Sequence, residues 1–416
     1  MTKFKKIAAI ALCAVMTISM GACGGNKASD SSTVSEVSQT DNSSDNNADD
    51  TAADKTADNS SESNAASASS DMKVAMITDY GDITDQSFNQ TTYEACKAFT
   101  AANSVDFTYY KPEGDSTAER VAMIDKAVAD GYNVLVLPGY AFAEAIVETA
   151  EMYPDAKFIA LDVSEFDLSS AAGKDSYSQD NVYSAVYKEE LAGYMAGYAA
   201  VKMGYKKLGF LGGMAVPAVI RYGYGFVQGT GDAAKEMGLS DVELNYAYGN
   251  QFYGDADITA AMDTWYSGGT EVVFACGGGI YTSACEAAQK ANKKVIGVDV
   301  DQASIIDPDY GEGMTVTSAM KGLTATVNTL LTAVKDGKWD DYKGQIQSLG
   351  LVSADDLTAN YVQLPDSTQW CDEFTKDDYK ALVGKLVNGE IKVSDDTSAE
   401  EPSSDVVKIN FQGNIK

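Results

Sequence analysis

The side chains best equipped for chemistry in this chain are acidic and aromatic, and they crowd into one stretch, KVAMITDYGDITDQSFNQTTY, from Lys73 to Tyr93. There Asp79, Asp82 and Asp85 supply carboxylates, Phe88 an aromatic face and Asn89 an amide. A carboxylate accepts hydrogen bonds from hydroxyl groups, a ring stacks on a planar group and an amide reads a polar edge, so the set reads as a ligand site. Histidine is absent from all 416 residues. That removes Ser-His-Asp triads, histidine general bases and most catalytic zinc sites, and leaves an enzyme only carboxylates, Lys, Tyr or Cys.

Other constellations add little chemistry. Asp299 and Asp301 lack a third ligand at a recognisable spacing, so they read as hinge and ligand residues, and no metal is expected. The run from Cys276 through Gly277, Gly278 and Gly279 opens a predicted helix, but it is neither a P-loop nor a dinucleotide fingerprint. No bound nucleotide phosphate and no cofactor are therefore expected. A formal net charge of -30 argues against nucleic acid as a partner and disfavours an anionic substrate. Cys96, Cys276, Cys285 and Cys371 follow no zinc or redox spacing and read as buried free thiols, with Cys276 and Cys285 the first pair to test for a bridge.

The elements that must position these residues follow from hydrophobic patterning. Val74 to Ile77 is a continuous apolar run, as in a strand covered on both faces, and it places Asp79 at the carboxyl end. Ser87 with Gln90 three residues later has the spacing of a capping box, so Phe88 and Asn89 should open a helix. Similar runs predict strands over 73–79, 105–110, 132–137, 157–163, 182–187, 207–212, 242–248, 271–276, 294–300 and 314–318. Amphipathic stretches such as Ala118 to Ala129 lie between most of them. This alternation predicts an α/β fold with parallel sheets in two doubly wound lobes, and ligands in such sheets gather at the carboxyl ends of the strands. We expect an N-terminal lobe of 71–180 plus 302–336, a C-terminal lobe of 181–301 plus 337–395 and a tail over 396–416, the first crossing lying near Asp180 and Asn181.

The N-terminus has Lys3, Lys5 and Lys6, an apolar run from Ile7 to Met20, and then Gly21, Ala22 and Cys23. This order is that of a secretory signal, and the ending resembles a bacterial lipobox, which would make Cys23 a lipidated N-terminus after removal of 1–22. From Gly24 to about Ser70 the chain is Ser, Asp, Asn, Ala and Thr, so 23–70 is expected to be the lipidated cysteine and a disordered acidic tether.

Asp79 to Asn89, NVYSAVYKEELAGYMAGYAA from Asn181, LGFLGGMAVPAV from Leu208, VIGVDVDQ from Val295 and TSAMK from Thr317 together resemble the basic membrane protein family. Its members are lipoprotein receptors of ABC importers, among them a purine nucleoside receptor. The resemblance runs from about Lys73 to Gly389 and implies a type I periplasmic-binding fold: two Rossmann-like lobes, a multi-segment hinge and a ligand enclosed between them. It implies that Asp79 bonds a ribose, that Phe88 and Tyr222 stack on a base, and that Asn89 meets the base's polar edge. Asp299 and Lys321 would bind the sugar hydroxyls, and Gly277 and Gly278 would allow close backbone approach. Relatives most often carry Phe where Tyr222 stands. Singly, Phe88 reads as a helix-start staple, Tyr222 as core or surface, Asp299 as a turn cap and Lys321 as a solvated helix residue; only the joint pattern favours the site. The resemblance thus implies a monomeric, non-enzymatic receptor for a nucleoside, with an ABC permease as partner and a lipid anchor on the extracytoplasmic face of the membrane. A receptor for another small polar solute, such as a sugar, and a carboxylate-based nucleoside hydrolase are the alternatives.

Overall fold

In the computed structural model residues 71–416 are described; the expected signal, Cys23 and tether lie outside them. From the first described residues, β1 (Lys73–Ile77), α1 (Phe88–Asn103), β2 (Asp106–Tyr110), α2 (Thr117–Ala129), β3 (Val134–Pro138), α3 (Ala143–Thr149), β4 (Lys157–Leu161), α4 (Glu165–Ala172) and β5 (Val182–Tyr187) alternate strand and helix. The chain continues through α5 (Glu189–Lys202), β6 (Lys207–Gly212), α6 (Pro217–Glu236), β7 (Glu243–Tyr248), α7 (Ala256–Ser267), β8 (Val272–Cys276), α8 (Tyr281–Ala291), β9 (Lys294–Asp299), α9 (Ala303–Tyr310) and β10 (Thr315–Lys321). Last come α10 (Leu323–Lys335), β11 (Ile346–Leu349), β12 (Val362–Gln363), α11 (Lys376–Val387) and β13 (Lys408–Asn414).

The strands form two sheets, in the orders β11-β5-β4-β3-β1-β2 and β12-β10-β9-β8-β6-β7-β13. Among the described strands only β12 runs antiparallel to its neighbour. Each sheet is covered on both faces, which is why the runs are apolar rather than alternating. In β1, Val74 and Met76 enter one core while Ala75 and Ile77 enter another. The first of these cores is continuous through both lobes, joining β1 and α1 to α5, α6 and β6.

The expected lobe boundaries shift. The strand Val182–Tyr187 pairs with β4 and therefore belongs to the first sheet, so the first crossing falls at Lys188, not at Asp180. β10 pairs with β9 in the second sheet and β11 with β5 in the first, so 302–321 and 346–349 change lobes relative to expectation. The expected tail contributes β13, which pairs with β7 and packs Phe411 on Tyr246 at 5.7 Å between centroids. Both sheets are built from similar apolar runs, so periodicity identifies a strand without saying which sheet admits it. Three segments thus cross between lobes, and backbone bonds knit them together: Lys188 N to Leu349 O (2.9 Å), Tyr361 N to Gly350 O (3.0 Å) and Gly322 N to Tyr361 O (2.8 Å).

Candidate functional site

The acidic loop after β1 folds around its own carboxylates. Asp79 is 8% exposed, and its Oδ1 accepts from the Tyr80 N–H (2.6 Å) and the Gly81 N–H (2.9 Å). Burial lifts its carboxyl above the ordinary aspartate value, and those N–H groups and Arg120 draw it only partly back. Gly139, just after β3 and at φ +126°, is required here, because a Cβ would strike the Asp79 carboxylate.

The helix that begins at Phe88 is not capped by Ser87, as its spacing suggested. Asp85 takes that role: Oδ1 accepts from the N–H groups of Ser87 (2.9 Å) and Gln90 (3.0 Å), and Oδ2 from the Asn89 N–H (3.0 Å) and the Asn89 side-chain amide (3.0 Å). A charged oxygen satisfies several orphan donors at a helix start better than a hydroxyl. Ser87 is thereby free to donate across the cleft to Asp299 Oδ2 at 2.5 Å.

Asp299 ends β9 in the second lobe with a left-handed backbone, φ +66°, and Asp162 follows β4 in the first lobe at φ +62°. Both carboxylates meet Lys321 at the end of β10, whose Nζ lies 2.6 Å from Asp162, 3.5 Å from Glu189 and 3.7 Å from Asp299. Glu189 also accepts from Arg221 Nε at 2.7 Å. Burial alone would lower the Lys321 value, but Asp162, Asp299 and Glu189 outweigh it and hold the ammonium charged. Burial raises Asp162 in turn, against the pull of Lys321. The ammonium also faces Phe88 (4.5 Å), Tyr187 (5.5 Å) and Tyr222 (5.8 Å), a cation–π setting.

Asp79, Phe88, Asn89, Tyr222, Gly277, Gly278, Asp299 and Lys321 all line one cavity of about 680 Å³ between the lobes. Phe88 opens α1 in the first lobe and Tyr222 lies on α6 in the second. The Tyr222 hydroxyl is 3.5 Å from Asp299 Oδ1. Gly277 and Gly278 have φ +140° and +51°, and a Cβ on either would press on Phe252. The neighbour demanding those glycines is therefore Phe252 of the protein itself, its ring at Gly277 and its carbonyl oxygen and Cβ at Gly278. Cys96, Cys276, Cys285 and Cys371 are free thiols, Cys276 lining the cavity. Asp301 faces away, accepting from Ser367 at 2.7 Å. Among the described residues no acidic or sulfur cluster has the makings of a metal site.

Several cavity residues escaped the sequence reading. Asp162 had a signal, since FIALD ends an apolar strand in an aspartate just as IGVD does at Asp299. Tyr80 and Phe252 had none. They meet across the cleft as a stacked pair, with centroids 6.4 Å apart and planes at 27°, and the Tyr80 hydroxyl reaches Met214 Sδ at 3.6 Å.

Comparison with known proteins places these features in context. The family described as "ABC transporter substrate-binding protein PnrA-like" matches residues 72–397. The chain is 27% identical over 292 residues to the "ABC transporter nucleoside-binding protein BmpA" of Lactococcus lactis subsp. cremoris, over 66% of this chain and 78% of that one. It is 28% identical over 347 residues to the "CD4+ T-cell-stimulating antigen" of Listeria innocua, over 78% of this chain and 89% of that protein. Among solved structures, an ABC transporter solute-binding protein from Aeropyrum pernix superposes with a TM-score of 0.61 at 21% identity, covering 78% of this chain and 94% of the other. That likeness is one of fold, the type I solute-binding architecture.

Proposed function

The chain belongs to the PnrA-like family of ABC transporter substrate-binding proteins, transport components and not enzymes, and from that premise we propose that it captures a nucleoside, a purine one above all, and hands it to a membrane permease. The observation that carries this reading is the cavity lining: carboxylates at the strand ends of both lobes, one buried ammonium among them, and an aromatic ring from each lobe. A ribose offers hydroxyl donors to Asp79 and Asp299 and hydroxyl oxygens to Lys321. The base lies against Phe88 and Tyr222, Lys321 withdrawing from the Phe88 face toward its carboxylates, and Asn89 meets the polar edge. Stacking contributes about 1–3 kcal/mol per base. A neutral nucleoside fits a site with this excess of acids better than any anion. Contacts made from both lobes favour the closed form, and the permease reads that form. Cys23 carries the lipid that holds the monomeric receptor on the outer face of the membrane.

Mass spectrometry of small molecules released from freshly purified, denatured protein, followed by calorimetry, tests the reading. A purine nucleoside should be released and rebind, and Asp299→Ala should weaken it roughly tenfold to a hundredfold, the loss of a hydrogen bond to a charged group. Release of a sugar instead, with no response to inosine, adenosine or guanosine, would overturn it.

A further inference from the structure

We propose that Gln86 and Ser87 in the first lobe and Gln302 in the second form a latch that holds the lobes together by direct bonds, with no ligand between them, and so slows the release of whatever solute the cleft encloses. The inference deepens the receptor reading and rests on its two closing lobes, not on the identity of the solute. Gln302 follows β9 and is fully buried, and its backbone N–H donates to Ser318 Oγ at 3.1 Å. Its side-chain oxygen accepts from the Val298 N–H at 2.9 Å. That bond settles which way round the amide lies, because only its oxygen can accept from an N–H. The nitrogen is left to point across the cleft, where it donates to the Gln86 carbonyl at 3.1 Å. Gly297 leaves the space for this side chain, since a Cβ there would press on the Gln302 oxygen and on Ser318 Oγ.

The first lobe is shaped to meet it. Gln86 is left-handed at φ +54°, a conformation that a residue with a Cβ keeps only where its surroundings impose it. Here they do: the Gln86 N–H donates to Gln90 Oε1 on α1 (3.1 Å), and Asp85 just before it is fixed by the N–H groups of Ser87, Asn89 and Gln90. Ser87 adds the second bond, to Asp299 Oδ2, so consecutive residues of one lobe grip Asp299 and Gln302 of the other. Tyr80, earlier in the same loop, also lies on Phe252 of the second lobe. Gln86, Ser87 and Gln302 do not line the cavity. Their bonds therefore form in the closed protein whether or not the cleft is filled, and they add the same stabilisation to every closed complex.

Small-angle scattering of the ligand-free protein, with stopped-flow release of adenosine and inosine, tests the latch. Gln302→Glu at pH 8 keeps an oxygen for the Val298 N–H but turns the end facing Gln86 from donor to acceptor, and Gln302→Met is its uncharged counterpart. Without ligand both variants should have a larger radius of gyration than the parent. Release of both nucleosides should be faster by the same factor, about threefold to tenfold, the loss of one hydrogen bond between uncharged groups. Where a Gln302 variant fails to melt cooperatively, Ser87→Ala carries the test in its place, because Asp85 and not Ser87 caps α1. Scattering and release rates unchanged from the parent would overturn the latch, and unequal acceleration of the two nucleosides would overturn it too, by making Gln302 a ligand contact. Expanded ligand-free variants of a protein that binds neither nucleoside would support the latch and overturn the nucleoside reading alone.

Discussion

Glu189 and Glu190 are consecutive at the start of α5 and meet different fates. Glu189 is held between Lys321 and Arg221, whereas Glu190 has a buried Oε2 with no partner. Burial, with Glu189 adding repulsion, lifts the Glu190 carboxyl to about 7 from 4.5. A folded-state value above the unfolded one means the folded protein binds the proton more tightly, so stability falls as pH rises from about 4.5 through 7 and the penalty is complete above that. Glu190→Gln should therefore be more stable than the parent at pH 8, by up to about 3 kcal/mol, with the difference vanishing near pH 4.5. Urea denaturation at the two pH values measures it; an equal difference at both would mean that Glu190 does not titrate in this window.

At the scale of elements, α5 and α6 pack backbone to backbone. Gly193 and Gly197 on one helix and Gly225 and Gly229 on the other let the backbones touch, each glycine facing a carbonyl group of the opposite helix. This approach brings Tyr222 and Arg221 on α6 beside Glu189 on α5, and so ties the cavity wall to the crossing at Lys188. A methyl group at Gly225 would press on the Glu190 backbone, where no flexible side chain can yield. Gly225→Ala should cost about 2 kcal/mol or more, at the upper end of overpacking effects, whereas Gly173→Ala, with open space around it but φ +61°, should cost only the left-handed backbone strain of about 1 kcal/mol. Thermal unfolding of the two variants side by side would show it, and equal losses would refute the packing account.

For the whole molecule, the proposed function expects the placement of Phe88 and Tyr222 on different lobes to make ligand binding and closure one event. Phe88→Ala and Tyr222→Ala should each weaken nucleoside binding, and the double variant should depart from their sum by about 0.5 kcal/mol or more, because each ring acts only on the ligand that the other helps to enclose. Titration of the four proteins with one purine nucleoside decides this; strict additivity would move the base elsewhere in the cleft. The N-terminal sequence makes a separate prediction. Cys23→Ser should release the receptor from the membrane fraction of expressing cells, and its retention after a high-salt wash would exclude lipid attachment at that residue.

The order of the first ten strands, the two doubly wound lobes and the strand-end carboxylates Asp79 and Asp299 were legible in the sequence, because apolar runs and helical periodicity are local and repeat along the chain, whereas β11, β12 and β13 carry no such run and were missed. The partners of those residues were not. Ser87 has the spacing of a cap, but it bonds Asp299, 212 positions away, once Asp85 has taken the helix N–H groups. Strands β5 and β10 are both buried runs, and which sheet each joins is fixed only by its neighbours in the assembled fold, β4 for one and β9 for the other. Phe252 sits in a loop without pattern and reaches the cavity because two glycines of the second lobe, Gly213 and Gly277, leave room for its ring. Local patterning determines what forms along the chain, whereas hydrogen-bond competition and backbone clearance, which exist only between segments brought together in space, decided what the cavity is made of.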